Sequence, residues 1–140
     1  MSSLIICDGD QVTFNPMFGQ RQVVPMKPAV ISGTGIATIL QRRMCVLGDE
    51  KRTQWPAQYF IPGYSPGTGM LSIESLDDSQ IAHGTVSIQP LIVQGNLFKV
   101  RFIPQVLAMM TSPPGTPDTS APGMGTGSFI PLQTFVRAKG

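Results

Sequence analysis

The chain has 140 residues, of which 41% are hydrophobic and only 13% are charged, well below the charged share of about 25% usual in globular proteins. Its 15 glycines and 13 prolines make up a fifth of the sequence, a density that interrupts helices and excludes a helical bundle. The net charge of +2 is too weak to favour an anionic membrane or nucleic acid as the main partner, and we expect no nucleic-acid partner.

The amino-terminal residues predict a protein without a secretory signal. Residues 1–8 lack a basic region, and the apolar stretch from Leu4 to Ile6 is too short for a signal peptide. No apolar run approaches the ~20 residues of a transmembrane helix. The two cysteines, Cys7 and Cys45, do not make a disulfide framework. We expect synthesis in the cytoplasm and, if the protein leaves the cell, export by another route.

Short apolar runs separated by turn residues fill residues 1–103. Residues 36–47 are bounded by glycines and predict a strand, although their apolar spacing also fits a helical face. Alternation with a period of two predicts further strands at 71–74, 85–89 and 98–102. These patterns predict a sheet of short, half-buried strands.

Two shorter signals lie between these strands. Residues 77–83 fit one short helix, and the adjacent acids Asp77 and Asp78 favour its start. Residues 94–96 place a glycine between two apolar runs, which predicts a hairpin turn.

The tripeptide Gly-Thr-Gly occurs at residues 33–35, 67–69 and 125–127. The first two copies precede apolar residues and predict a repeated unit, a sharp corner followed by a strand, because glycine permits positive φ and close backbone approach. Chance recurrence in a glycine-rich chain is the alternative. The third copy lies in low-complexity sequence and carries little weight.

Composition divides the chain into three parts. Residues 1–103 predict the β domain, residues 104–127 a Pro/Gly-rich linker, and residues 128–140 an extended C-terminal segment. We expect the linker to follow an outer surface and residues 129–136 to pair with a sheet edge, in this chain or on a partner. A disordered tail is the alternative.

Catalysis is not expected. The chain has a single histidine, His83, so a nucleophile–histidine arrangement has only one possible base. No nucleophile elbow or phosphate-binding loop is present. The paired acids Asp49 and Glu50 fit a solvated turn. We therefore predict no catalytic residue.

A metal site is the stronger chemical candidate. Cys7, Cys45 and His83 are three zinc-type ligands that the fold could bring together. However, no closely spaced ligand pair of the kind typical of structural zinc is present. The alternative is that both cysteines are small buried hydrophobes and that His83 caps a turn.

Aromatic residues cluster in a segment that prolines bracket. Trp55, Tyr59, Phe60 and Tyr64 lie between or beside these prolines, which favour extended chain. The segment either binds a sugar or protein ligand or, more commonly for such residues, packs under the sheet.

Residues 28–50 resemble one unit of the PAAR and PAAR-like spike-tip proteins. That family has a glycine turn and an apolar strand, then a Pro-Ala-Ala-Arg-like stretch that ends in Gly-Asp. Here the Gly-Asp end is intact, whereas residues 42–45 diverge; a second, similar unit follows, and the resemblance covers about residues 5–103. The motif residues are Gly33, Thr34, Gly35, Gly48, Asp49, Gly67, Thr68 and Gly69.

The resemblance implies an all-β fold, a small cone of short strands in a pseudo-threefold arrangement, here with an extended C-terminal tail. It implies a non-catalytic tip that caps a trimeric β-helical spike, one copy per trimer, in a contractile injection system such as a type VI secretion system or a phage tail. The spike would be a VgrG-like or tail-needle protein. The tip would sharpen it for puncture, contact the target membrane transiently, associate with effectors or with sheath and tube components, and leave the cell with the particle.

Family members often bind one zinc ion through three histidines and a cysteine. This chain has one histidine, so zinc held by Cys7, Cys45 and His83 is the expectation that remains. Two alternatives stay open on the residues: a small OB-like β-barrel that binds a ligand or an oligonucleotide, and a metal- or redox-active protein.

Overall fold

The computed structural model describes residues 2–82 and 90–139. The strand predicted at 85–89 and the candidate ligand His83 lie outside these ranges. The described residues form thirteen strands and two single-turn 3-10 helices, Asp49–Lys51 and Asp78–Gln80. The strands are β1 (Ser2–Leu4), β2 (Gln11–Phe14), β3 (Met17–Phe18), β4 (Arg21–Pro25), β5 (Thr38–Ile39), β6 (Arg42–Arg43), β7 (Gln54–Phe60), β8 (Gly67–Ser75), β9 (Ile81–Ala82), β10 (Leu91–Ile92), β11 (Phe98–Val106), β12 (Gly123–Ile130) and β13 (Arg137–Lys139).

The predicted all-β class is confirmed. Within the described ranges there is no α-helix, and neither short helix has the length and apolar character needed to span a bilayer. Seven strands form one antiparallel sheet in the order β2-β12-β11-β8-β7-β4-β3. The predicted strands at 71–74 and 98–102 lie within β8 and β11.

The main sheet buries one face, as its sequence alternation predicts. Along β7 and β11 buried residues alternate with exposed or half-buried ones, and the buried set includes Trp55, Tyr59, Phe98 and Phe102. The Tyr59 and Phe102 rings meet edge to face with centroids 5.3 Å apart. The aromatic segment therefore supplies core residues, which agrees with the interpretation that it packs under the sheet.

Glycines make room for these rings. Gly67 and Gly69 lie inside β8 and not at a corner before it. A Cβ on Gly67 would collide with the Tyr59 ring, and one on Gly69 would lie 2.5 Å from Cζ of Phe102. In the second Gly-Thr-Gly copy the absence of side chains at the two glycines thus allows two aromatic rings to pack directly against the backbone of the sheet.

The third Gly-Thr-Gly copy does the same in β12. A Cβ on Gly125 would lie 2.7 Å from Cε2 of Phe18, and one on Gly127 would lie 2.6 Å from Cε1 of Phe98. Phe18 belongs to β3, at the opposite end of the strand order from β2 and β12. The sheet therefore curls until its β3 edge packs against β12.

The proline-rich and C-terminal segments are continuous with this sheet. The boundaries at 103/104 and 127/128 fall inside β11 and β12. β12 lies between β2 and β11, and β13 pairs with β1, so residues 123–130 and 137–139 pair within the chain itself. Of the predicted linker at 104–127, residues 107–122 are the part that connects β11 to β12.

Two further predictions need correction. Residues 36–47 are not one strand, because β5 and β6 form a hairpin whose two turn residues, Leu40 and Gln41, have φ of 51° and 67°. Residues 94–96 are not a hairpin turn, since the chain passes there from β10 in a small sheet to β11 in the main sheet. Leucine and glutamine are rare at positive φ, so nothing in the residue types at 40–41 indicates a turn.

The helix predicted at 77–83 is a single turn, Asp78–Gln80. Asp77 begins it as predicted, because its side chain accepts a hydrogen bond from the Ser79 amide at 3.1 Å. The Gln80 side chain in turn accepts from the Asp77 amide at 3.0 Å, which completes a capping box.

Arg21 fastens the connection 107–122 to the core. Its side chain is buried, donates to the Asp118 carboxylate at 3.0 Å and lies 5.3 Å from the centre of the Tyr59 ring. It also donates to the carbonyls of Ala121 at 2.9 Å and Thr119 at 2.8 Å. A buried cation with this many partners orders a segment that has few regular contacts of its own.

We predict that Arg21→Met lowers the free energy of unfolding by about 3 kcal/mol, because it leaves the Asp118 carboxylate, whose side chain is only 12% exposed, without its cation. The matched control is Arg101→Met, since Arg101 is 43% exposed and lies 3.9 Å from Glu74. This variant should lose less than about 1 kcal/mol. Urea denaturation measures both, and equal losses would contradict the role of Arg21.

Candidate functional site

Three distant segments of the chain meet in a closed ring of backbone hydrogen bonds. The Ile6 amide donates to the Ile92 carbonyl at 3.0 Å, and the Ile92 amide donates to the Cys45 carbonyl at 2.9 Å. The Cys45 amide donates to the Ile6 carbonyl at 2.8 Å and closes the cycle. Each of the three residues donates once and accepts once. We call Ile6, Cys45 and Ile92 the backbone ring.

The residues beside the ring pair in the same cyclic order. Isolated β-bridges join Ile5 to Val93, Cys7 to Met44 and Val46 to Leu91. Side chains alternate across the ring, as they do along any strand. The ring residues pack in the main core, whereas these neighbours pack in a second, smaller hydrophobic cluster.

Each ring segment belongs to or adjoins a two-stranded sheet. The three small sheets are β1/β13, β5/β6 and β9/β10, and we call them the three ribbons. Together with the ring they form a pseudo-threefold arrangement of short strands within one chain, as the resemblance predicts.

Two buried glutamines hold two of the ribbons. Beside β1/β13, Gln133 donates to the carbonyls of Ile5 at 3.0 Å and Val136 at 2.8 Å, and it accepts from the Val136 amide at 2.8 Å. Beside β9/β10, Gln80 donates to the carbonyls of Gln94 at 3.2 Å and Asn96 at 3.0 Å. A buried side-chain amide with several hydrogen-bond partners fixes the register of the strands beside it, which apolar contacts alone do not fix.

Beside the β5/β6 ribbon, Asp49 connects the first Gly-Thr-Gly copy to the Gly-Asp motif. Its buried carboxylate accepts from the Thr34 hydroxyl at 2.6 Å and from the Thr34 amide at 3.0 Å. It also accepts from the Val46 amide at 2.9 Å. Gly48, just before it, has φ of 109°, which glycine adopts readily. The structure thus brings together Thr34, Gly48 and Asp49, which the sequence places in one motif.

The glycines of that copy allow two backbones to touch. A Cβ on Gly33 would lie 2.6 Å from the Arg43 carbonyl oxygen, and one on Gly35 would lie 2.5 Å from that of Met44. The Gly35 amide donates to the Met44 carbonyl at 2.8 Å, which extends the β5/β6 ribbon towards the ring. Gly67, Thr68 and Gly69 lie in the main sheet and take no part here.

Asp10 is a second buried carboxylate next to the ring, one that the sequence did not single out. It accepts from the Cys7 amide at 2.8 Å and from Arg42 in β6 at 2.6 Å. Its one signal in the sequence is a second acid, Asp8, two residues earlier. In the structure the Asp8 carboxylate accepts a hydrogen bond from the Gly33 amide at 2.9 Å. The pair of acids fastens the first ring segment to the second.

The candidate zinc ligands do not form a cluster in the part of the chain that the structure describes. Cys45 packs in the main core and Cys7 in the second cluster. Among residues 2–82 and 90–139 no group of three histidine, cysteine or acidic residues is placed to hold a metal. His83 lies outside these ranges, so zinc binding by Cys7, Cys45 and His83 stays a prediction.

The cysteines are buried and free of disulfide bonds. Burial raises the pKa of the Cys45 thiol, and the Asp49 carboxylate adds to this. Burial also raises the pKa of Cys7, with a further contribution from Asp10. Both thiols therefore stay protonated near neutral pH, which agrees with the alternative that they are small core residues.

Taken together, the geometry defines a small all-β protein with an internal pseudo-threefold end. Over residues 1–139 the chain matches the family described as contractile injection system spike tip protein, and it belongs to that family. The predicted recognition as a spike-tip protein is confirmed, and the protein is a component of the spike of an injection particle. A search of curated proteins finds no match.

We predict that neither thiol reacts with a disulfide reagent in the folded protein at pH 8, because the thiolate is the reactive form and burial suppresses it. Full labelling in urea is the control. Adding a chelator tests zinc at the same time: if zinc holds the thiols, the labelling rate rises. Rapid labelling of the folded protein without chelator would contradict the buried, protonated state.

Proposed function

We propose that this protein caps the end of a trimeric β-helical spike, one copy per trimer, and docks through the end that carries the three ribbons. The observation that supports this most directly is the backbone ring. Three segments related by a cyclic pattern of hydrogen bonds give one chain an internal pseudo-threefold arrangement, from which the three ribbons extend.

The physical reason is the state of a spike's end. A trimeric β-helix stops at three equivalent strand edges, whose free N–H and C=O groups pair with any available strand. Three separate caps would each need their own core, which is difficult for very short chains. A single domain with three ribbons covers all three edges at once and shares one core.

Exposed apolar side chains lie on or beside the ribbons. Ile36, two residues before β5, and Leu40, in the β5/β6 turn, are 84% and 67% exposed, and Phe135, two residues before β13, is 62% exposed. Leu97, in the connection between β10 and β11, is 56% exposed. Large apolar side chains so exposed near the ribbons suit a surface that a partner covers.

The β5/β6 turn adds a second indication. Leu40 and Gln41 both have positive φ, which disfavours residues with a Cβ, although Asn-Gly would fit the same two-residue turn without strain. Strain kept at an exposed position points to a functional side chain. Leu40 is therefore a candidate contact with the spike.

As a cap the protein acts without catalysis. It sharpens the spike for puncture, touches the target membrane only in passing, and leaves the cell as part of the particle. Effectors, a VgrG-like spike and sheath or tube components are the partners that the resemblance implies, and the first of these would attach away from the ribbons.

The test of capping is the stoichiometry with the trimeric spike protein of the same particle. We expect one copy of this protein per three spike chains, measured by native mass spectrometry of the purified complex. Ile36→Asp and Phe135→Asp should abolish the complex with little effect on folding, because both side chains are exposed.

Val106→Asp is the matched control, since Val106 is equally exposed at 62% but lies at the end of β11 in the main sheet. It should leave the complex intact. Three copies per trimer would contradict the proposal. So would a Val106→Asp variant that binds as poorly as the ribbon variants.

The strained turn gives a separate prediction. Replacing Leu40 with Asn and Gln41 with Gly should raise the free energy of unfolding by about 1 kcal/mol, because it removes left-handed strain at residues with a Cβ. The same change should weaken spike binding, since it removes an apolar contact. A variant that is more stable and binds normally would show that Leu40 makes no contact.

A further inference from the structure

We infer that the edge of β2 is a second binding site, one that accepts an extended peptide segment of a partner protein as an added strand. This inference goes beyond capping, because it concerns the main sheet and not the ribbons. It rests on the backbone of Phe14 and on the chain that faces it.

The backbone of Phe14 points away from the sheet. The Val12 amide donates outwards to the Ala29 carbonyl at 2.9 Å, whereas the Asn15 amide donates inwards to the carbonyl of Thr126 in β12 at 2.9 Å. Backbone groups alternate along a strand, so the N–H and C=O of Phe14 face the same way as those of Val12. Within the described residues they meet no partner.

The edge is covered only along its first half. Gln11 is bridged to Val30, and the Ile31 amide donates to the Asp10 carbonyl at 3.0 Å. Past Val12 the two chains separate. The space between β2 and residues 25–29 is an open groove of about 480 Å³, within the size range of ligand clefts.

The facing wall offers this groove few backbone donors. Pro25 and Pro28 have no N–H to donate, and the Met26 amide already donates to the Pro56 carbonyl at 3.0 Å. No segment among the described residues pairs with Phe14 on this side of β2, so the position is open to a strand from elsewhere. Free edge groups beside an apolar wall are the chemistry by which sheets recognise extended peptides.

The groove also selects the kind of occupant. Residues 25–29 stand opposite β2 as a second wall, so the edge of another folded sheet, including a second copy of this chain, cannot approach β2 broadside. A single extended segment fits between the walls. It would pair with Phe14 and place every second side chain against the groove floor, where the Phe14 ring packs 5.4 Å from Trp55.

Amide hydrogen exchange on the full-length, isotope-labelled protein tests this site. In the free protein the Phe14 amide should exchange much faster than the bonded amides of Val12 and Asn15. The probe is a short peptide of alternating threonine and valine with lysine at both ends. At saturation it should slow exchange at Phe14 by about tenfold or more and leave Val12 and Asn15 unchanged.

Two controls separate strand addition from other binding. The same peptide with proline in place of every threonine and valine has no N–H between its terminal lysines to donate to the edge, and it should have no effect. Met26→Trp narrows the groove and should weaken binding of the threonine–valine peptide by about tenfold. Met17→Trp should not weaken it, because the Met17 side chain is exposed and does not line the groove.

Three results would overturn the site: a Phe14 amide already protected in the dilute free protein, no change at saturating peptide, or protection that depends on protein concentration alone, as a second copy would cause. None of these measurements involves the spike. Their failure and a failure of capping are therefore distinguishable.

Discussion

The closed cycle of hydrogen bonds between Ile6, Cys45 and Ile92 is the constraint on which the rest of the molecule depends. In a flat sheet the two neighbours of a strand lie on opposite sides and do not pair with each other. Here the two neighbours of each segment also pair with each other. That closure directs the ring side chains into the main core and their neighbours into the second cluster. It therefore fixes where the ribbons leave the core. Without it, the strands before and after each segment would have no reason to diverge in three directions.

A chain with few charges uses several of its polar groups inside. Asp10, Asp49, Gln80 and Gln133 are all buried next to the ring or the ribbons, and no buried side-chain polar atom of the described residues lacks a hydrogen bond. Burial of such groups is costly unless every donor and acceptor is paired, so each acts as a strict selector of register. The strands of the ribbons are only two or three residues long. Apolar contacts over so short a length cannot choose between registers, and these polar groups can.

The sequence predicted what is periodic or locally encoded. Alternation located β8 and β11, and Asp77 located the start of the Asp78–Gln80 turn, because these signals need no distant partner. The β5/β6 hairpin was missed since Leu40 and Gln41 are not turn residues. The ring was missed at residue level because each of its segments is a few apolar residues with no local mark of its three-way pairing. The third Gly-Thr-Gly copy was discounted as low complexity, yet its glycines seat Phe18 and Phe98. Thr34 was found through the Gly-Thr-Gly repeat and Asp49 through a family motif, whereas Asp10 was not found at all.

A single chain can imitate threefold symmetry only approximately, and this limits how such a cap binds. The three ribbons are built differently: β5/β6 is a hairpin with a two-residue turn, β9/β10 pairs two strands from one part of the chain, and β1/β13 pairs two strands that are far apart in sequence. The exposed apolar side chains near them differ too, namely Ile36, Phe135 and Leu97. A true trimer presents three identical sites, so on the proposed docking each site must accept all three side chains. Apolar contact is the one interaction that tolerates such exchange, because it depends on buried area and not on direction. The scarcity of charge in this sequence is then a requirement of the symmetry mismatch, since a directional ion pair suited to one ribbon would be left unpaired at the other two.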